Sequence, residues 1–166
     1  MLVSIAYYSR KGTTDGLAAM VAEEFRRRGH EANLVRIKHT KRPGFLKAGR
    51  MSMKHEHVEL ENAESDFDMS LAEMVIVGGP IFAGNVNPFT RAYLRRITGL
   101  EGKPGGVFIC CASKPEDTGK YIKELTELAS DRGLKVKGNL VGSKKIKDRY
   151  PDLAKAFVEE LLTQDG

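Results

Sequence analysis

The segment Ser9-Arg10-Lys11-Gly12-Thr13-Thr14 follows an apolar run and leads directly into a helical pattern. Its hydroxyl groups, its glycine and the free N–H groups of a helix start favour an anion such as a phosphate, because the amides and the helix dipole both present positive charge. The competing interpretation is an ordinary helix cap, since Ser and Thr are preferred capping residues. This segment alone does not decide between the two.

A second segment with a distinctive composition runs from Gly79 to Pro88, again after an apolar run. It places Phe82 in a predicted loop, followed by the small residues Ala83 and Gly84. An aromatic side chain at this place can stack on a flat ring, and the small residues allow close approach. A phenylalanine folded under its own turn is the alternative.

Apolar runs and helical patterns alternate five times, which is typical of βαβ units and a parallel sheet. The predicted strands are Leu2–Tyr8, Glu31–Ile37, Met74–Gly79, Gly106–Cys111 and Leu134–Val141. Helical spacing marks helices over about Thr14–Arg28, from near Pro88, around Ile122–Leu128 and around Leu153–Leu161, with a weaker pattern over Phe45–Lys54.

The composition of the strands predicts their order in the sheet. Met74–Gly79 and Gly106–Cys111 are continuously apolar, as expected for strands covered on both faces. Glu31–Ile37 and Leu134–Val141 are interrupted by polar residues and therefore suit the edges. We predict a three-layer, doubly wound α/β fold with a five-stranded parallel sheet in the order 2-1-3-4-5. A ligand crevice is then expected beyond the first and third strands, where both distinctive segments begin.

The two segments resemble the loops of a known family. Tyr8-Ser9-Arg10-Lys11-Gly12-Thr13-Thr14 resembles the flavodoxin phosphate loop, in which Ser or Thr alternates around a glycine before the first helix. Gly79-Pro80-Ile81-Phe82-Ala83-Gly84 resembles the second flavin loop of the broader flavodoxin-like family, which includes FMN-dependent quinone reductases. The resemblance implies one flavodoxin-like domain over residues 1–166, with an excursion at about residues 38–67.

The resemblance also implies FMN as the cofactor and assigns three loops to it. The first loop would hold the phosphate, the second would line the isoalloxazine ring, and the loop after the fourth strand would close over the other side of the ring. The residues concerned are Ser9, Arg10, Lys11, Gly12, Thr13, Thr14, Pro80, Ile81, Phe82, Ala83, Gly84, Asn85, Val86, Cys111, Ala112 and Ser113. Lys11 stands where the family usually has a small hydroxyl residue, which would make this phosphate pocket more electrostatic or slightly different in shape.

Three functions from different classes are compatible with these residues. The first is an FMN-binding redox protein, either an electron carrier for a partner protein or an NAD(P)H oxidoreductase that reduces quinone-like acceptors. In both cases the flavin carries the redox chemistry, and no catalytic side chain is needed. The second is a flavin-free binding module that uses the basic 36–54 segment for an acidic partner. The third is a domain that binds FMN and senses flavin or redox state for a partner protein.

Charge and hydropathy limit the partners and the location. Much of the net charge of +5 comes from the basic 36–54 segment, and acidic residues follow it directly, so we interpret the two blocks first as a solvated, self-compensating region. No apolar stretch approaches the roughly 20 residues of a membrane helix. We expect a cytoplasmic protein without membrane insertion. Nucleic acid is not favoured as a partner, and a homo-oligomer is an open option.

Cys110-Cys111 and His55-x-His57 are the remaining candidates for chemistry. Adjacent cysteines at the end of a buried strand are usually small apolar residues, although beside a flavin they could form a redox pair. They do not staple a fold, and a reducing compartment fits them. No third ligand of suitable spacing accompanies the two histidines, so a solvated pair is favoured over a metal site.

Overall fold

Strands and helices alternate along the chain in the computed structural model, which describes residues 1–39, 45–53 and 58–164. The strands are β1 (Leu2–Tyr7), β2 (Glu31–Arg36), β3 (Met74–Phe82), β4 (Asn85–Val86), β5 (Pro104–Cys111) and β6 (Lys135–Ser143). The helices are α1 (Thr13–Arg27), α2 (Phe45–Met53), α3 (Pro88–Arg96), α4 (Gly119–Ser130) and α5 (Tyr150–Thr163). Every strand and helix predicted from the sequence is present, with small differences at the ends.

Five of the strands form one parallel sheet in the order β2-β1-β3-β5-β6. β4 pairs only with β3, in the antiparallel direction, and lies outside this order. The five parallel strands therefore have the predicted order 2-1-3-4-5, which is confirmed. The crossing direction reverses between β1 and β3, because β2 lies on one side of β1 and β3 on the other. The switch point is thus where the sequence predicted it.

Helices cover both faces of the sheet and bury one apolar core on each. On one face, Phe25 of α1 and Phe157 of α5 belong to the same core. On the other face, Tyr93 of α3 and Leu125 of α4 pack in the second core. The predicted three-layer fold is confirmed. Among the described helices, none is long and apolar enough to span a membrane.

The segment after Gly79 differs from the prediction of an open loop. β3 continues to Phe82 and pairs with β4, so that Phe82 lies opposite Asn85. Ala83 and Gly84 make the two-residue turn, with φ angles of 48° and 76°. Two positive φ angles suit the right-handed twist of a hairpin. The open-loop prediction was wrong because this turn chemistry continues the ladder beyond the apolar run.

Candidate functional site

The loop between β1 and α1 curls around the hydroxyl group of Ser9. The Ser9 Oγ accepts hydrogen bonds from the backbone N–H of Gly12 at 3.1 Å and of Asp15 at 3.2 Å. Gly12 is the N-cap of α1 and has a φ of 94°, which favours glycine. A Cβ placed on Gly12 would meet no heavy atom within 4 Å. The Cβ direction of Gly12 therefore faces open space, beside the positive end of the α1 dipole.

A pocket lies between this loop, the end of β3 and the segment after β5. Its lining residues are Arg10, Lys11, Thr13, Thr14, Pro80, Ile81, Phe82, Cys110, Cys111, Ala112 and Lys144. The β1–α1 loop supplies cations and hydroxyl groups, whereas the ends of β3 and β5 supply apolar side chains and thiols. Three separate stretches predicted from the sequence therefore meet in one pocket.

The other predicted residues do not line this pocket. Ser9 is buried under its own loop, and Gly12 caps α1. The residues from Ala83 to Val86 form the hairpin turn and β4. Ser113 lies next to the pocket, where its carbonyl accepts a hydrogen bond of 2.6 Å from the Ser143 hydroxyl.

Phe82 is buried in a core and also borders the pocket. Its side chain is 7% exposed and packs in the core that contains α3 and α4. Its ring meets the ring of Tyr8 edge-on, with 6.3 Å between centroids. Phe82 nevertheless lines the pocket. It therefore forms a fixed wall of the pocket, held from behind by the core.

Lys144 is a pocket residue that the sequence reasoning missed. It begins a 3-10 turn, Lys144–Arg149, directly after β6. The carboxyl ends of parallel strands meet at one edge of the sheet, so a cationic residue directly after the last strand was the available signal. Sequence spacing does not show which side chain of such a turn borders a pocket.

The hairpin is held by two side chains at the start of α3, those of its N-cap Asn87 and of Arg91. Asn87 accepts the N–H of Thr90 at 2.9 Å and donates to the carbonyl of Pro80 at 3.0 Å. The Nε of Arg91 donates to the carbonyl of Val86 at 3.0 Å. Burial, followed by the charge of Arg95, lowers the pKa of Arg91. These contacts fix the backbone on which one wall of the pocket stands.

The two cysteines are free and buried on different sides of the sheet. Cys110 belongs to the core beneath α1 and α5, and Cys111 to the core beneath α3 and α4. Successive residues of a strand point to opposite faces, which explains the separation. Burial raises the pKa of the Cys110 thiol to about 11, and it raises the pKa of Cys111 as well. Both thiols are protonated at neutral pH, which supports their interpretation as small apolar residues.

The structure adds no support for a metal site. Within residues 1–39, 45–53 and 58–164, no group of three or more His, Cys, Asp or Glu side chains could hold a metal ion. His55 and His57 lie outside the described residues.

Comparison with protein families identifies the chain. The sequence profile described as a flavodoxin domain matches residues 48–161, which is more than half of the chain. The chain belongs to the flavodoxin domain family. The match includes the β3–β4 hairpin and the segment after β5, whereas the β1–α1 loop lies before it. Proteins of the flavodoxin family bind flavin as FMN. A search among curated proteins found no match.

Solved structures share the flavodoxin fold over nearly the whole chain. A flavodoxin from Streptococcus pneumonia TIGR4 has a TM-score of 0.68 at 18% identity, with 99% of each chain covered. A WrbA-like flavodoxin from Agrobacterium tumefaciens has a TM-score of 0.66 at 16% identity, with 99% of this chain and 97% of that chain covered. Rubredoxin oxygen:oxidoreductase from Desulfovibrio gigas gives 0.65 at 21% identity, covering 99% of this chain and 37% of that one. Identities this low establish the flavodoxin fold.

Proposed function

We propose that this member of the flavodoxin domain family binds FMN in the pocket described above and transfers electrons through it. The proposal rests mainly on one observation, the composition of that pocket. The start of α1 and the cations Arg10, Lys11 and Lys144 border the same space as the apolar side chains of Ile81 and Phe82. A phosphate needs the surface with cations and a helix start, and a flat ring system needs the surface with apolar side chains. The residues present therefore fit FMN.

The chain's own residues would divide the work of binding. The hydroxyl groups of Thr13 and Thr14 can donate to phosphate oxygens, and Lys11 and Lys144 can balance the phosphate charge. The β3–β4 hairpin offers a rigid wall because Asn87 and Arg91 fix its backbone. The bound flavin would supply the redox chemistry, while the protein sets its orientation and access.

The first test is the visible absorption of protein purified without added cofactor. A yellow protein that releases FMN, identified by chromatography, is the expected result. Protein that purifies colourless is then titrated with FMN and, in parallel, with riboflavin, which lacks the phosphate. Tighter binding of FMN than of riboflavin supports the proposed phosphate site. A colourless protein that takes up neither compound contradicts the proposal.

Electron transfer by a carrier and reduction of a small acceptor differ in what the purified protein does alone. An oxidoreductase oxidises NAD(P)H in the presence of a quinone-like acceptor without any other protein. A carrier does so only when a separate reductase is added. Steady-state measurement of NAD(P)H absorbance, with and without an added flavodoxin reductase, separates the two forms of the proposed function.

A further inference from the structure

A second pocket adjoins the proposed flavin pocket, at the carboxyl ends of β1 and β2. Its volume is about 360 Å³, and its lining residues are Tyr8, Ser9, Arg10, Arg36, Ile37, Lys38, His39 and Glu61. Arg10 lines both pockets, so the two meet there. The volume lies within the range of roughly 300–1,000 Å³ that is usual for small-molecule sites.

Cationic side chains from different segments converge on this second pocket. Arg10 comes from the β1–α1 loop, Arg36 ends β2, and Lys38 follows two residues later. The carboxylate of Glu61 is the opposing charge in the lining. In the described part of the chain, Lys38 forms no ion pair, so its ammonium group is available to a ligand.

Arg36 is oriented before any ligand arrives. Its Nη1 donates to the Asp15 carboxylate at 2.9 Å, and its Nη2 donates to the Ser9 carbonyl at 3.2 Å. Asp15 offsets part of the charge of Arg36, and Lys38 adds a further cation to the lining. A guanidinium group held in place loses less side-chain entropy when it binds an oxyanion.

The wall that carries these cations is fixed by the buried side chain of Asn62. Its Oδ1 accepts the N–H of Lys38 at 2.8 Å, and its Nδ2 donates to the carbonyl of Arg36 at 2.8 Å. Asn62 is 8% exposed. The backbone N–H of Glu61 also donates to the carbonyl of Lys38 at 2.9 Å. The pocket is therefore built on a tied backbone rather than on a solvated end of an edge strand.

We infer that this second pocket binds the phosphoryl group of a small molecule such as a nucleotide, at a site separate from the flavin. Arginine and lysine together are the usual partners of phosphate oxygens, and Arg36 and Lys38 present both. The site goes beyond the proposed function, because Arg10 is the one lining residue that it shares with the flavin pocket.

The test is a titration with ADP of protein that is saturated with FMN. Binding of ADP is measured from the chemical shifts of the backbone amides. If the protein does not take up FMN, the same titration is made without it. ADP should shift the amides of Arg36, Lys38 and His39, and adenosine should not. The variant Lys38→Gln should weaken ADP binding at least fivefold. Flavin binding is followed separately by visible absorption, so failure of one site is distinguishable from failure of the other.

Lys47→Gln is the matched control, because Lys47 lies on α2 and does not line the second pocket. It should change the affinity for ADP less than twofold. Equal losses in the Lys38→Gln and Lys47→Gln variants would indicate general charge attraction and overturn the inference. Shifts confined to residues 10–14, or adenosine binding as tightly as ADP, would also overturn it.

Discussion

Arg91 of α3 and Glu124 of α4 form an ion pair behind the β3–β4 hairpin. The Arg91 side chain is 7% exposed and the Glu124 side chain 24%. Glu124 also reaches the backbone N–H of Val86, at 3.4 Å from each carboxylate oxygen, while Arg91 binds the carbonyl of the same residue. One ion pair thus connects two helices to both backbone groups of Val86.

We predict that Arg91→Met lowers the free energy of unfolding by about 2 kcal/mol, because it leaves the Glu124 carboxylate without its cation in a largely buried place. Release of Val86 should also weaken FMN binding on the order of tenfold. Urea unfolding and a flavin titration measure the two effects. Lys123→Met is the control, since it removes only the exposed pair of Lys123 with Glu127 and should cost about 0.5 kcal/mol or less. Equal losses in both variants would contradict a role for the buried pair.

Lys144 and Lys145 allow a test of the proposed phosphate site with two adjacent exposed lysines, of which only Lys144 lines the pocket. We predict that Lys144→Gln weakens FMN binding on the order of tenfold, because a charge-assisted contact to phosphate is lost. Riboflavin binding should not change, since riboflavin has no phosphate. Lys145→Gln should leave both affinities within twofold. Fluorescence quenching of the free flavins gives the dissociation constants, and an equal loss for riboflavin would speak against the assignment.

Gly84 and Gly16 should respond in opposite directions to the same substitution. A Cβ at either position meets no heavy atom within 4 Å, so crowding does not contribute. Gly84 has a φ of 76° in the hairpin turn, and Gly84→Ala should therefore destabilise by about 1 kcal/mol. Gly16 lies inside α1, where Gly16→Ala should stabilise by about 1 kcal/mol. Chemical denaturation checks both, and the same sign for both would contradict the backbone explanation.

The buried thiol of Cys110 should make the fold sensitive to alkaline pH. Burial raises the pKa of Cys110 from its ordinary value of 9.0 to about 11, so the folded state binds the proton more tightly between these values. The stability linked to this thiol is fully present below about pH 9 and is lost as the pH rises through 11. Cys110→Ala should therefore show a shallower fall in unfolding free energy from pH 8 to 11. Parallel pH profiles for the variant and the original protein would refute this linkage.

Strand order was predictable because strands that are buried on both faces consist of apolar residues. Met74–Gly79 has no polar side chain, and every residue of it is buried between two helical layers. The turn around Ser9 was predictable for a similar reason, since Ser9 and Gly12 lie within four residues of the start of α1. In both cases the signal comes from residues that are neighbours in the sequence.

The residues missed by sequence reasoning act across long separations. Arg91 and Glu124 are 33 residues apart, and a charged residue within a helix gives no sign that tertiary packing has buried it. Lys144 enters the pocket because β6 ends beside β5, which depends on the register of the complete sheet. The hairpin at Ala83 and Gly84 was missed because Ala at a positive φ is uncommon, so the turn had no standard signature.

The hydrogen bonds between Lys38 and Glu61 and between Lys38 and Asn62 close a loop within the long connection from β2 to β3. Because this loop is closed at its base, doubling its length would cost only about 0.6 kcal/mol in loop entropy. Changes in the length of this loop should therefore leave the register of the sheet unchanged. Evolution or protein engineering can therefore introduce new recognition elements in this loop while the redox scaffold stays unchanged.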